Sequence, residues 1–150
     1  MDEVPELRDR RFDLVFVDAP CTGTGTLRRH PEIAWSLRPE AVDPDAPGSL
    51  VALQAELLAA AASHVAPGGH LAYSTCSVLD QENAGQVAAF LVSDRGRPFT
   101  PVDIRETTGF ARLPEEARSF VAASLTPDGT FATTPTEGGP DGHFLAFLRA

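Results

Sequence analysis

Two short apolar runs, Leu14-Val15-Phe16-Val17 and Leu71-Ala72-Tyr73, each lead into a polar tetrapeptide that holds one of the chain's two cysteines. The first is followed by Asp18-Ala19-Pro20-Cys21 and the second by Ser74-Thr75-Cys76-Ser77. A brief, nearly continuous apolar run closed by Asp and Pro reads as a buried strand, here over residues 12–18. Between the two runs, Leu50, Leu53, Leu57, Ala61 and Val65 recur at helical spacing with Leu58 and Ala62 beside them, which predicts a helix over 49–65 stopped by Pro67-Gly68-Gly69. Leu50, Leu57 and, further on, Phe90 are expected in the core. A strand over 70–75 follows, then a helix capped by Ser77 or Asp80 and running to about Val92, with Val87, Phe90 and Leu91 inward. Strand, helix, strand, helix implies parallel pairing with a right-handed crossover, an α/β architecture. Ligands bind at the carboxyl ends of the strands in such sheets, so Asp18, Cys21 and Cys76 are expected around one crevice.

The remaining segments are less regular. Residues 1–11 are polar and read as a lead-in. Residues 22–48 form a long loop with a turn of helix around 32–37, and loops of that length in a compact domain are usually functional. Beyond Ser93 the pattern breaks into a strand at 101–104, a Pro- and Thr-rich stretch, and segments 129–134 and 143–149, the last alternating as in an antiparallel strand pair, with a turn at 137–142.

Composition bounds the function. A chain of 150 residues that is 43% hydrophobic buries one core. Two cysteines, no signal-peptide pattern and no long apolar span favour a reducing, cytoplasmic setting with free thiols and no membrane. The formal charge of -9 argues against a broad nucleic-acid surface, so any RNA footprint must be local. Arg28, Arg29 and His30 form the dense basic cluster near the crevice and are the candidates to contact RNA phosphates or an extruded nucleotide. The scattered histidines and two cysteines give no metal site.

Each motif also has a plain structural reading. Cysteine is a common buried residue, and a strand-terminal Asp before Pro often caps a turn. Gly23-Thr24-Gly25 lacks the third glycine of a dinucleotide fingerprint and more simply permits a tight turn close to a substrate. Trp35 either stacks on a base or pins the long loop to the core. Glu82-Asn83 fits the first turn of a helix, where acid is favourable.

Asp18-Ala19-Pro20-Cys21-Thr22-Gly23-Thr24-Gly25, Arg28-Arg29-His30-Pro31, Leu53-Gln54, Tyr73-Ser74-Thr75-Cys76-Ser77, Glu82-Asn83 and Asp141-Gly142-His143-Phe144-Leu145-Ala146 occur in that order along the chain. Their order and spacing resemble the RNA cytosine-5 methyltransferases of the bacterial RsmB and eukaryotic Nop2/Sun type, the nearest being bacterial enzymes that act on ribosomal RNA. The resemblance implies a partial, Rossmann-like S-adenosylmethionine-dependent methyltransferase fold: the fourth, fifth, seventh and sixth strands of a seven-stranded sheet, in that spatial order, mostly parallel with an antiparallel carboxyl-terminal strand. The family's Gly-rich cofactor loop and the acidic residue after its second strand do not precede Phe12. Residues 1–150 are therefore expected to be the carboxyl-terminal part of a catalytic domain, inactive alone, with an unpaired edge that invites a homodimer.

The resemblance also assigns roles. Cys76 is the expected nucleophile, adding to carbon 6 of cytosine so that carbon 5 can attack the methyl group of S-adenosyl-L-methionine. Asp18 is expected to hold the pyrimidine edge, Cys21 to release the product, and Pro20 to shape the pocket for an extruded base, with Asp18 and Pro20 also facing the cofactor. Three alternatives stand beside this reading: a noncatalytic RNA-binding or assembly module of the same fold; a DNA cytosine methyltransferase with Cys21 of the Pro-Cys pair as attacker; and a cysteine hydrolase, which needs a histidine placed as base.

Overall fold

The computed structural model describes residues 10–150; most of the lead-in expected over 1–11 lies outside them. In chain order the elements are β1 (Phe12–Asp18), α1 (Ile33–Ser36), α2 (Leu50–Ala62), β2 (Val65–Thr75), α3 (Ala84–Val92), β3 (Thr100–Val102), α4 (Thr108–Ala111), α5 (Glu115–Ala123), β4 (Phe131–Thr133) and β5 (His143–Arg149). The sheet order is β1-β2-β5-β3, with β4 also paired to β5. β1 and β2 are parallel, while β5 runs antiparallel to β2, β3 and β4. This is the strand order and direction expected for the later half of a methyltransferase sheet.

One face of the sheet holds the core. Val15 lies opposite Leu71 and Val17 opposite Tyr73, and across the next ladder Leu71 meets Leu148, Tyr73 meets Ala146 and Thr75 meets Phe144. Side chains alternate along a strand, so these registered residues share a face. Leu58 and Ala62 of α2 and Val87 and Phe90 of α3 pack on it. Phe90 also tilts against Phe99, with ring centroids 5.6 Å apart.

The helix α2 begins where its cap dictates, because the Ser49 side chain accepts the Ala52 N–H at 3.3 Å. It ends at Ala62 rather than Val65, and its buried stripe is Val51, Gln54, Leu58 and Ala62, so Leu50 and Leu57 are only half-buried. The Pro67-Gly68-Gly69 stop lies inside β2: Phe12 pairs with Val65 and Leu14 with His70, and the extra residues of β2 loop out between them. Neither Ser77 nor Asp80 caps α3, which starts at Ala84 behind a short 3-10 turn over Asp80–Glu82. The strand expected at 101–104 is β3, one residue earlier, and Ile104 opens a 3-10 turn capped by Asp103. The Pro- and Thr-rich stretch contains α4, capped by the Thr107 side chain, and α5, whose first turn carries Glu115 and Glu116.

β1 departs from the expected buried strand. Leu14 is 55% and Phe16 58% exposed, since α2 covers only the face of Val15 and Val17. Among the described residues β1 pairs with β2 alone, leaving one edge open.

At the carboxyl ends of β1 and β2 the backbone is packed without room for a side chain. Gly25 N–H donates to the Cys76 carbonyl and Gly142 N–H to the Gly25 carbonyl, both at 2.9 Å. A Cβ on Gly25 would lie 2.7 Å from the Cys76 carbonyl oxygen, and one on Gly142 would lie 2.7 Å from Gly25 Cα. Gly25→Ala is therefore expected to lower stability by about 1–3 kcal/mol in urea unfolding, through overpacking that backbone cannot relieve. Leu58→Ala, at a fully buried position, should cost about 2–5 kcal/mol in the same measurement.

Candidate active site at the strand ends

β1 delivers Asp18 beside Ser74 in the parallel register, and the chain then turns through Pro20 so that Cys21 reaches the end of β2. There the Cys21 and Cys76 sulfurs are 3.4 Å apart, both half-buried and both free thiols. Asp18 and Pro20 are exposed at the same rim. The structure thus places Asp18, Pro20, Cys21 and Cys76 at the adjacent strand ends, as the sequence predicted, but the two thiols border separate cavities rather than the one crevice expected.

Two polar networks fix the turns that hold the thiols. Around Cys76, the Thr75 hydroxyl donates to Asn83 Oδ1 at 2.5 Å, the Asn83 amide donates to the Ser77 carbonyl at 2.9 Å, and the Ser77 N–H donates back to Thr75 Oγ1 at 3.2 Å. Around Cys21, Thr22 donates twice to the Glu82 carboxylate: its N–H to Oε1 at 2.9 Å and its hydroxyl to Oε2 at 2.5 Å. Gln54 Nε2 donates to the Pro20 carbonyl at 2.9 Å and to Glu82 Oε1 at 3.0 Å. Tyr73 OH donates to the Glu82 carbonyl at 2.7 Å. The Ser77 hydroxyl lies 3.3 Å from Thr22 Oγ1 and 3.0 Å from Thr24 Oγ1, tying the two networks together, and Thr24 Oγ1 accepts the Val78 N–H at 3.1 Å.

Glu82 does lie in a first turn, that of the short 3-10 helix ahead of α3, but it is fully buried and its carboxylate binds the loop of Cys21 rather than serving that turn alone. Sequence reasoning gave Gln54 and the threonines no physical role. Gln54 did carry a signal, being the one polar residue in the buried stripe of α2.

Burial above all, with the neighbouring Cys76 thiol adding to it and a backbone hydrogen bond with Gly23 opposing it, pushes the Cys21 thiol up to about 12. Burial likewise raises Tyr73, with the Glu82 and Cys21 charges adding to the effect.

The basic cluster is partly neutralised. Arg28 pairs with Asp141 at 3.2 Å and Arg29 pairs with the other oxygen of the same carboxylate, holding Asp141 below its ordinary range, while His30 Nδ1 lies 3.1 Å from Glu32. Trp35 is 90% exposed and does not pin the loop. Cys76 opens on a cavity of about 360 Å³ lined by Arg29, Phe120, Phe131, Thr133 and His143, whereas Cys21 borders a separate one of about 460 Å³ that includes Leu37, Arg38 and Pro47. Phe120, 46% exposed, meets Phe131 edge to face at 6.1 Å.

The chain is similar in sequence and fold to known proteins. The ribosomal RNA small subunit methyltransferase B of Enterobacter sp. (strain 638) is 40% identical over 119 residues, covering 78% of this chain and 27% of that protein. The protein of the same name from Escherichia coli O6:K15:H31 is 42% identical over 119 residues, with the same coverage. The chain thus spans about a quarter of the length of these curated relatives. The crystal structure of PH0851 superposes with a TM-score of 0.71 at 32% identity, covering 97% of this chain and 28% of that one. NSun6 from Pyrococcus horikoshii, solved with SFG, shares the fold with a TM-score of 0.63 at 24% identity, over 96% of this chain and 32% of that one. A family model described as 16S rRNA methyltransferase RsmB/F matches residues 1–149, and the chain belongs to that family.

Proposed function

We propose that this chain supplies the two thiols of an RNA cytosine-5 methyltransferase acting in the cytoplasm on small-subunit ribosomal RNA, as the carboxyl-terminal part of its catalytic domain. The observation that carries the reading is the 3.4 Å contact between the Cys21 and Cys76 sulfurs at the ends of adjacent parallel strands.

Carbon 5 of cytosine is a poor nucleophile, and a sulfur bonded to carbon 6 turns the ring into an enamine. Cys76 forms that bond, and the cavity it opens on admits a planar base beside Phe131 and His143. The Asp18 carboxyl donates a proton to ring nitrogen 3 as Cys76 adds to carbon 6, taking up the negative charge that develops there. When bound, S-adenosylmethionine supplies the methyl group. The residues present fit one wall of its site: the exposed Asp18 carboxylate offers a partner for an ammonium group and Pro20 an apolar surface. Product release then needs a base at carbon 5 while Cys76 holds carbon 6. Cys21, in contact with the Cys76 sulfur, is placed to take the carbon 5 proton as the bond from Cys76 to carbon 6 breaks. Its raised pKa argues against Cys21 as the resting nucleophile, and it takes the carbon 5 proton only as the anion, after its own proton has passed to solvent. This disfavours the DNA-type alternative, in which Cys21 attacks. Arg29 lines the rim of the cavity that Cys76 opens on, and Arg28 and His30 are exposed next to it in sequence, where they can meet phosphates of the RNA.

The test is an RNA containing 5-azacytidine, whose ring nitrogen at position 5 carries no proton to remove, so that the adduct persists after methyl transfer. Incubated with S-adenosylmethionine, the chain extended at its amino end is expected to give an adduct that mass spectrometry maps to Cys76, lost in Cys76→Ala and kept in Cys21→Ala. The 150-residue chain alone is expected to give none. An adduct on Cys21 would refute the assignment of roles.

Stability should also depend on pH in a stated direction. The folded chain holds the Cys21 proton up to about 12, whereas an ordinary thiol releases it near 9.0. The contribution is complete below that ordinary value and is lost as pH rises through the folded one, so the melting temperature falls across that window. Cys21→Ala is expected to flatten part of the fall, with Tyr73 supplying more of it.

We further propose that the open edge of β1, with Leu14 and Phe16 exposed, pairs two copies of the isolated chain into a homodimer. Phe16→Lys should shift sedimentation toward the monomer; a wild-type chain that stays monomeric at high concentration excludes the pairing.

A further inference from the structure

The Glu82 carboxylate is fully buried, yet its side-chain hydrogen bonds come from neutral donors: the Thr22 N–H and hydroxyl and the Gln54 amide. A carboxylate in such a place costs more to bury than a neutral or apolar side chain of similar size, so packing alone is a poor reason for it. Its chemistry supplies the reason. An ionised carboxylate only accepts, and here its two oxygens receive both donors of Thr22, the residue that follows Cys21. Gln54 joins the arrangement from the other side, with one amide group donating to Glu82 and to the carbonyl of Pro20, the residue that precedes Cys21. Both neighbours of Cys21 are therefore held to one buried centre, which Tyr73 ties to β2 through the Glu82 carbonyl.

We propose that Glu82 is a positioning residue which, through Thr22 and with Gln54, sets the Cys21 sulfur in contact with Cys76. Its importance for methylation rests on the reading of Cys21 as the partner of Cys76; the placement itself is a property of the thiols and is measurable without RNA or methyl donor. A glutamine at position 82 puts an amide donor where an acceptor is needed, facing donors of Thr22 or Gln54. Valine at position 22 keeps the shape and the N–H but removes the hydroxyl, and serine there keeps the hydroxyl.

The reduced chain is treated with diazenedicarboxamide, which takes two electrons and two protons from the thiol pair and becomes the hydrazine as the Cys21–Cys76 disulfide forms. Closure is followed by mass spectrometry, alkylation of Cys76 by iodoacetamide is timed separately at the same pH, and melting is followed by circular dichroism. The wild-type chain is expected to close. Because a displacement of an ångström at a reacting centre costs orders of magnitude, Glu82→Gln and Thr22→Val are expected to close roughly tenfold or more slowly, with Thr22→Ser within about threefold of wild type and Cys76 alkylation within about twofold throughout. If Glu82→Gln fails to fold, the Thr22→Val and Thr22→Ser pair decides. Equal closure rates in folded variants would overturn the proposal. So would a wild-type chain that does not close, or variants in which alkylation of both thiols rises together with a collapse of the melt, the mark of a residue that only supports the fold. Failure of the azacytidine trap leaves this result intact, and the converse holds, so the two readings fail separately.

Discussion

A buried carboxylate that accepts hydrogen bonds from two segments far apart in sequence is the interaction on which the rest of the site depends. Glu82 stands between the loop after β1 and the turn after β2, and the hydroxyls of Thr22, Thr24 and Ser77 continue the connection from one to the other. A half-satisfied polar network in a core is worse than none, since each orphaned group keeps its desolvation cost. This one is nearly complete: among the described residues the buried side-chain atom without a partner is Gln54 Oε1. The loops carrying the thiols are therefore held to each other and not only to their own strands.

Backbone packing extends this order to the far end of the chain. The contact of Gly25 with Gly142 draws the segment before β5 against the loop after β1, and Asp141 beside it captures Arg28 and Arg29. These ion pairs are exposed and contribute little to stability. Their consequence is placement: they keep Arg29 at the rim of the cavity that Cys76 opens on, with Arg28 held to the same carboxylate.

The sheet separates a finished face from an open one. α2 and α3 cover the side of Val15, Leu71, Tyr73 and Ala146, and the site grows from strand ends rooted in that core. The opposite side presents Leu14 and Phe16 at the edge strand. The strand ends are anchored where packing is complete, so the positions of Cys76 and Cys21 follow from rigid elements and from short polar stitches.

The sequence by itself determined the order of the strands and of the two core helices, the strand ends that carry the thiols and the family pattern, but not α4 and α5. Those properties are local: an apolar run closed by Asp-Ala-Pro-Cys, a helix capped by Ser49, and β5 alternating from His143 to Arg149 are written in consecutive residues. Periodicity could not say which helical face is buried when the helix is apolar nearly all round, and so Leu50 and Leu57 were expected inside while Val51, Gln54 and Leu58 are. Nor could it show that Pro67-Gly68-Gly69 bulges within a strand, because only pairing with Phe12 and Leu14 makes it one. The 3.4 Å sulfur contact, the burial of Glu82 and the pairing of Asp141 with Arg28 and Arg29 join residues 55, 60 and 113 or 112 positions apart. Tertiary structure alone decides such contacts, since the hydrogen bonds and desolvation that fix them exist only once the separate loops meet.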